Sequence, residues 1–440
     1  MPDRLPLRCL LVVPLLAVCA CATEDRFAPP DPSLIDRAEM ERVLGTLAAD
    51  DIRGRRAFSV DAERAAEFLA REFAAAGIGS APDAEGHLQR FNVRSITPDQ
   101  VSVTIDGAPI EAPRVGSRLS SESLSWSTGD ASVIVVGPDA EVRSAVFAGF
   151  RGSGNTLMLV NEAHAQFFNQ IANGFLSGAN RTLEPGGSNL IMVLSNAGAA
   201  AAYSVEASAT AAEETLVNVV GVIPGRRTDE IVLFSAHYDH IGIRPPVDGD
   251  SIANGANDDA SGTAAVVALA RYYAQRGTPE RTIMFAAFTA EEGSGFGSQH
   301  FSRQLNPDHV VAMFNIEMIG KPAVEGPNTA WITGFDRSSF GSILQDAVDG
   351  TEYEFYADPY PDQNLFYRSD NATLARLGVP AHSISTTPID VDADYHQVSD
   401  EISTLDLNHV TNTIRAIAMG AESIVTGTDT PTRVDPATVN

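Results

Sequence analysis

Ile231-Val232-Leu233-Phe234-Ser235-Ala236-His237-Tyr238-Asp239-His240 (IVLFSAHYDH) decides how the chain is read. An apolar run of strand length, 231–236, ends abruptly in a cluster of titratable side chains. Such a run belongs to a strand covered on both faces, the pattern of parallel sheets. Working outward, 217–223, 282–289, 310–318 and 381–385 read as further strands, and 262–275 is the clearest helix between them. Strands alternating with helices predict an α/β fold with a mostly parallel central sheet flanked by helices. Ligands of such sheets collect at the carboxyl ends of the strands, where His237 already stands.

Upstream, 33–50 and 61–76 read as helices, the second with Ala65, Leu69 and Phe73 four residues apart. Between 88 and 213 the character changes. Short β-prone pieces at 101–105, 132–136 and 189–194 are separated by Gly, Ser and Asn clusters, which predicts an inserted β-rich domain. Its last part, the Ala-rich 196–214, reads as a surface helix or a return linker. The main domain is thus expected over 36–87 and 214–428, with 429–440 as a C-terminal tail.

The first residues read as a targeting segment. Arg4 and Arg8 precede 12 mainly apolar residues, 9–20, too few to cross a bilayer as a helix. Val18-Cys19-Ala20-Cys21 resembles a bacterial lipoprotein signal. That reading makes 1–20 the signal peptide, Cys21 the lipidated residue and 21–35 a polar tether. It implies export and a cell-envelope location on the periplasmic or extracellular face, with the outer membrane as one option. All three cysteines (Cys9, Cys19 and Cys21) lie here, so no disulfide or thiolate is expected in the folded part. The chain has 30 Lys and Arg against 57 Asp and Glu, a net charge of −27, which argues against nucleic acid as a partner.

Five motifs carry candidate chemistry. His237 and Asp239, two residues apart on an extended chain, point the same way. Gly255 to Gly262 (GANDDASG) presents Asp258 and Asp259 from a tight turn entering a helix. Glu291-Glu292 follows the strand 282–289, and neighbouring glutamates can divide metal binding from proton transfer. Glu317 stands in an apolar strand, where a carboxylate needs a cation, a proton or a polar partner. Tyr395-His396 sits in a polar loop after 381–385. Each is weak alone. Together they supply nitrogen and oxygen donors without thiolates, a set that suits zinc.

Taken in order, Ala236 to His240, Gly255 to Gly262, Thr289 to Gly293, Asn315 to Gly320 and Asp394 to His396 resemble the motifs of the M28 family of zinc aminopeptidases and carboxypeptidases. The resemblance covers about 214–425 and the helices at 36–79. It implies two zinc ions per chain, the first held by His237 and Glu317, the second by Glu292 and His396, with Asp258 bridging. It further implies Glu291 as the base acting on a water between the zincs, Asp239 as the group orienting His237, and Tyr395 as a donor to the developing oxyanion. His240 is usual beside the first motif and is not a ligand in the family. Two residues depart from the pattern: Glu317 stands where Asp is frequent, and Asn371, in a stretch that lines the family's substrate pocket, where His is common. Many members carry a protease-associated domain where 88–213 stands. The M20 peptidases share the order of ligands, but the 79-residue interval from Glu317 to His396 leaves no room for their inserted lid. The expectation is an aminopeptidase acting on peptides and anchored to a membrane by its N-terminal lipid. The alternatives are a carboxypeptidase or dipeptidase of the same family, and a non-catalytic binding lipoprotein on the same scaffold.

Overall fold

The computed structural model describes residues 26–152, 154–176 and 178–439. The stretch read as a signal peptide, 1–20, and the expected lipidation site Cys21 lie outside the described residues. Two N-terminal helices come first, α1 (Arg37–Leu47) and α2 (Val60–Ala75). Asp36 caps α1 by accepting from Ala38 N at 2.8 Å, and Ser59 caps α2 from Ala62 N at 3.2 Å. In chain order there follow β1 (Leu88–Ile105), β2 (Val115–Arg118), β3 (Ser132–Val136), α3 (Val142–Arg151), β4 (Thr156–Val160), α4 (Ala165–Gln170), β5 (Leu190–Leu194) and β6 (Tyr203–Ile223). The second half contains β7 (Arg227–His237), α5 (Gly262–Ala274), β8 (Arg281–Phe288), α6 (Phe296–Gln304), β9 (Val310–Ile316), β10 (Thr329–Ile332) and α7 (Phe340–Val348). It ends with β11 (Glu354–Ala357), α8 (Asn371–Ala375), β12 (Ala381–Ser385) and α9 (Leu407–Gly420).

The main strands of the central sheet lie in the order β11-β10-β12-β9-β7-β8-β6-β1. Its middle, β12-β9-β7-β8, is parallel, while β10 runs against β12 and β6 against β8. Alternate residues serve opposite faces. Val232, Phe234 and Ala236 of β7 pack under α1, α2, α5, α7 and α9, whereas Leu233 joins the core beneath α6 and α8. Burial on both faces is why these strands read as continuous apolar runs.

Three stretches differ from the sequence reading. The Ala-rich 196–214 is mostly strand, since β6 starts at Tyr203 and pairs with β1 over nearly its whole length. Alternation of buried Tyr203 and Val205 with exposed Ser204 and Glu206 outweighs the helical preference of its alanines. Between β1 and β6, the segment read as β-rich holds a second, α/β sheet in the order β2-β5-β4-β3, with β3, β4 and β5 parallel and α3 and α4 in their crossovers. The stretch read as a tether is docked from Phe27 onward. Phe27 lies under the Arg276 guanidinium, 4.0 Å from ring centre to Cζ, and Ala28 O accepts from Arg276 Nη2 at 2.7 Å. The C-terminal stretch is likewise packed, with Val434 and Val439 buried and Asp429 O accepting from Arg281 at 2.6 Å. Among the described residues, no helix is long and apolar enough to cross a membrane.

Candidate metal centre

The parallel register assembles the first part of the site. Ser235 of β7 lies opposite Asn315 of β9, so two residues further along His237 comes level with Glu317, and Nε2 lies 3.1 Å from Oε1. His237 also faces Phe288, the last residue of β8, and the chain turns at Ala290 (φ +61°) to deliver Glu291 and Glu292. Asp258 comes from the turn before α5. That turn requires Gly255 at φ +59°, where a Cβ would lie 2.3 Å from Asp258 O and 2.4 Å from His240 Cγ.

Asp258 and Asp259, adjacent in sequence, have different roles. Asp259 faces the backbone, accepting from Gly262 N and Met318 N at 3.0 Å and from His237 N at 3.4 Å, and so ties three motifs together. Asp258 faces the centre of the cluster. Its Oδ1 is 3.3 Å from His237 Nε2, and its Oδ2 is 3.2 Å from His396 Nε2. His396 Nε2 is in turn 3.1 Å from Glu292 Oε2. Thus His237, Asp258 and Glu317 form one group of donors, while Asp258, Glu292 and His396 form another. Ligands about 2.0–2.2 Å from a tetrahedral zinc stand roughly 3.3 Å apart, which the 3.1–3.3 Å separations match.

His240 belongs to this cluster too. Together with Asp258 and Glu292 it offers donor atoms within 4.8 Å of one another. Its Nδ1 is 2.6 Å from Glu292 Oε1, close for two ligands of a single ion, which places it behind Glu292. The two atoms are within hydrogen-bond reach of each other, and His240 Nε2 is buried without a partner. Buried donor groups that converge on one another around Asp258 fit cations among them.

The electrostatics agree with that fit. Burial alone would lower the His237 pKa, but Glu317, Glu291 and Asp258 raise it well above the usual histidine range. Burial raises Glu291 well above the ordinary carboxylate range; His237 opposes the shift, and Glu317, Asp370 and Glu292 add to it. Burial opposes the ionisation of Asp258, but hydrogen bonds to His237 and His396 hold its pKa well below the ordinary value. This is a crowd of carboxylates that positive charge would relieve.

The carboxylate of Asp239 has a different partner from the one the resemblance implies. Its Oδ1 is 3.9 Å from His237 Nδ1 and instead accepts from Glu291 N at 3.1 Å, while the backbone oxygen of Asp239 sits 3.2 Å from that imidazole nitrogen. The main chain therefore orients His237, and the carboxylate anchors the Glu291 turn. Burial raises the Asp239 pKa to about 7. Tyr395 stacks on His396 with ring centres 4.0 Å apart, and burial raises its phenol pKa, keeping the hydroxyl neutral. Both Glu291 and Tyr395 line a cavity of about 450 Å³ together with Asp258, Glu292, Glu317, Asp370 and His396.

Several supporting residues went unread in the sequence. Asp400 accepts from Asn257 N at 2.9 Å and Asp258 N at 3.1 Å, holding the Asp258 turn. Ser369 donates to Glu317 Oε2 at 2.5 Å. Arg55, fully buried, donates to the carbonyls of Leu47, Tyr238, Asn254 and Gly255, and so joins α1 to the first two motifs. Asn371 is fully buried rather than lining the cavity; it donates to Phe366 O and accepts from Ser383 Oγ at 3.0 Å. Its neighbour Asp370 faces the cavity, 2 % exposed, beside Ser298, which hydrogen-bonds its carboxylate. Burial raises its pKa to about 6.

A parallel sheet with two donor groups sharing one aspartate at its carboxyl edge defines the zinc-exopeptidase type of α/β fold. Residues 218–421, a little under half of the chain, match the model of peptidase family M28. The probable leucine aminopeptidase 1 of Trichophyton verrucosum (strain HKI 0517) is 31% identical over 210 residues, covering 44% of this chain and 54% of that protein. Leucine aminopeptidase 1 of Trichophyton rubrum is 30% identical over 210 residues, with the same coverage. The chain thus spans about half the length of the curated relatives it matches. Among solved structures, an aminopeptidase from Aneurinibacillus sp. strain AM-1 superposes with a TM-score of 0.54 at 20% identity, covering 93% of this chain and 97% of that one. BSAP, a zinc aminopeptidase from Bacillus subtilis, gives a TM-score of 0.54 at 16% identity, covering 90% and 97%. At these identities the likeness establishes the fold.

Proposed function

We propose that the chain is a co-catalytic zinc aminopeptidase that removes N-terminal residues from peptides, with Glu291 as general base. The observation that carries this reading is the sharing of Asp258 between two donor groups with Glu291 beside them, its Oε2 4.0 Å from His237 Nε2. His237, Asp258 and Glu317 would hold one zinc, and Asp258, Glu292 and His396 the other. When bound, the ions supply Lewis acidity that lowers the pKa of an attacking water and polarises the scissile carbonyl.

The remaining steps belong to the chain. Glu291, made basic by burial, accepts the proton of the water and returns it to the leaving amine. Asp239 fixes the Glu291 turn through its bond to Glu291 N. Tyr395, neutral and facing the cavity, donates to the carbonyl oxygen as negative charge develops on it. The buried carboxylate of Asp370, which faces the cavity and has no ion-pair partner among the described residues, takes the α-ammonium of the substrate, which favours an aminopeptidase over a carboxypeptidase. The similarity to the leucine aminopeptidases of Trichophyton named above supports the same reading. In this reading the protein is exported, with residues 1–20 as a lipoprotein signal and Cys21 as its membrane anchor.

Cleavage of a leucyl-anilide, its N-acetyl form and a peptide amide tests the reading. Chelator-sensitive cleavage of the first and third, with the acetylated compound inert, is expected. Turnover only of peptides with a free C-terminus would move the assignment to a carboxypeptidase. Asp370→Asn should raise KM for the anilide by about tenfold or more, as expected for loss of a buried charge pair.

A further inference from the structure

A second opening, of about 610 Å³, lies behind Glu292 between the main domain and the segment carrying the smaller sheet. It shares Glu292, Gly293 and Ser294 with the main cavity, so the two lie on either side of one wall. Asp370 lines only the main cavity.

Four arginines line this groove: Arg56, Arg118, Arg181 and Arg244. In a chain with 57 acidic residues against 30 basic ones, that reverses the prevailing sign. The acids in its wall are Asp239 and Glu292, both engaged at the metal centre. Arg181 is neutralised by a two-pronged contact with Glu214 at 2.5 and 3.1 Å. The other three have no carboxylate in salt-bridge reach among the described residues. Arg118 is half-buried and donates only to the neutral Asn180 Oδ1 at 2.8 Å, and desolvation lowers its pKa with no carboxylate to compensate. Arg56 rests its stem on Gly242, and Arg244 is exposed on the ribbon Gly242–Val247 that forms the rim. Guanidinium groups that line one groove without counter-charges suit a carboxylate ligand.

We propose that this groove binds a carboxylate on the leaving side of the substrate peptide, giving the enzyme a preference for acidic peptides. The inference rests on the aminopeptidase reading, which places the substrate amine at Asp370 and so directs the leaving side across the Glu292–Ser294 wall. The carboxylate comes either from an acidic side chain or from the free C-terminus of a short peptide.

The test compares kcat/KM for Leu-Ala-Ala-Asp-amide, Leu-Ala-Ala-Asn-amide and Leu-Ala-Ala-Asn with a free C-terminus. A preference of about tenfold for a carboxylate-bearing peptide over the neutral amide is expected, the scale of a charge-assisted contact. Which of the two is preferred identifies the source. Arg118→Gln and, separately, the rim variant Arg244→Gln should erode the preference while leaving leucyl-anilide turnover unchanged. Equal rates on all three peptides, with the anilide still cleaved, would overturn the groove and leave the aminopeptidase reading intact. If the anilide is not cleaved, fluorescence anisotropy of the labelled Asp and Asn peptides on metal-free protein decides the point. Salt-sensitive binding of the acidic peptide that Arg118→Gln weakens supports the groove, and equal binding of both refutes it.

Discussion

His382 provides a quantitative test of how the sheet beneath the site is held. It is fully buried on β12, stacked on Phe340 with ring centres 4.8 Å apart. Its Nδ1 donates to Thr333 O at 2.8 Å, and its Nε2 accepts from Ser338 Oγ at 2.7 Å. Both ring nitrogens are therefore satisfied only in the neutral form. Burial lowers its pKa to about 4, against about 6.5 for an unfolded histidine. The folded value is the lower one, so the unfolded chain binds the proton more readily. The stabilisation is complete above pH ~6.5 and is lost as the pH falls towards ~4. A gap of about 2.5 units at about 1.36 kcal/mol per unit gives roughly 3 kcal/mol in full, of which about 2 kcal/mol is lost by pH 5. Urea denaturation of wild type and His382→Gln at pH 7.5 and pH 5.0 isolates this term, because Asp239, Asp370 and Asp400 titrate in both proteins. Wild type should lose about 2 kcal/mol more than the variant between the two pH values. Parallel losses would refute the assignment of a buried neutral imidazole.

Two further predictions concern the scaffold of the metal centre. Arg55→Met leaves four buried carbonyl oxygens without their donor and should destabilise the fold by about 3 kcal/mol or more in urea titration; a loss below about 1 kcal/mol would contradict the structural role given to Arg55. Gly255→Ala forces a Cβ against Asp258 O and the His240 ring, so zinc affinity measured by competition with a chromogenic chelator should fall about tenfold or more with the far-UV spectrum retained.

Much of the fold was legible because the parallel strands are covered on both faces. Runs such as 231–236 and 282–289 have no polar side to disguise them, and the chemistry follows directly at their ends. At the candidate site, His237, Glu292 and Glu317 stand out because they end or interrupt apolar runs, whereas Asp258 stands in a tight turn and His396 in a polar loop, where only the order of the motifs marks them. What the sequence hid depends on long-range pairing. The alanines before Glu214 become strand because β1, about a hundred residues earlier, supplies the hydrogen bonds. Arg55 and Asp400 act on backbone atoms up to 200 residues away, so nothing local marks them. Phe27 is an apolar residue in a mostly polar stretch, and its partner Arg276 lies two residues past the end of α5, far away in sequence. His240 and the groove arginines acquire meaning only from their neighbours in space.

The central claim is that Glu291 moves the proton while five other residues hold the metal. The direct measurement is zinc content by elemental analysis on wild type and Glu291→Gln, alongside leucyl-anilide turnover for both. About two zincs are predicted in each protein, the number two donor groups can hold, with turnover of the variant reduced by about 10²- to 10⁴-fold. Near-normal turnover by Glu291→Gln, or wild type that neither holds zinc nor cleaves the anilide after reloading, would contradict the account.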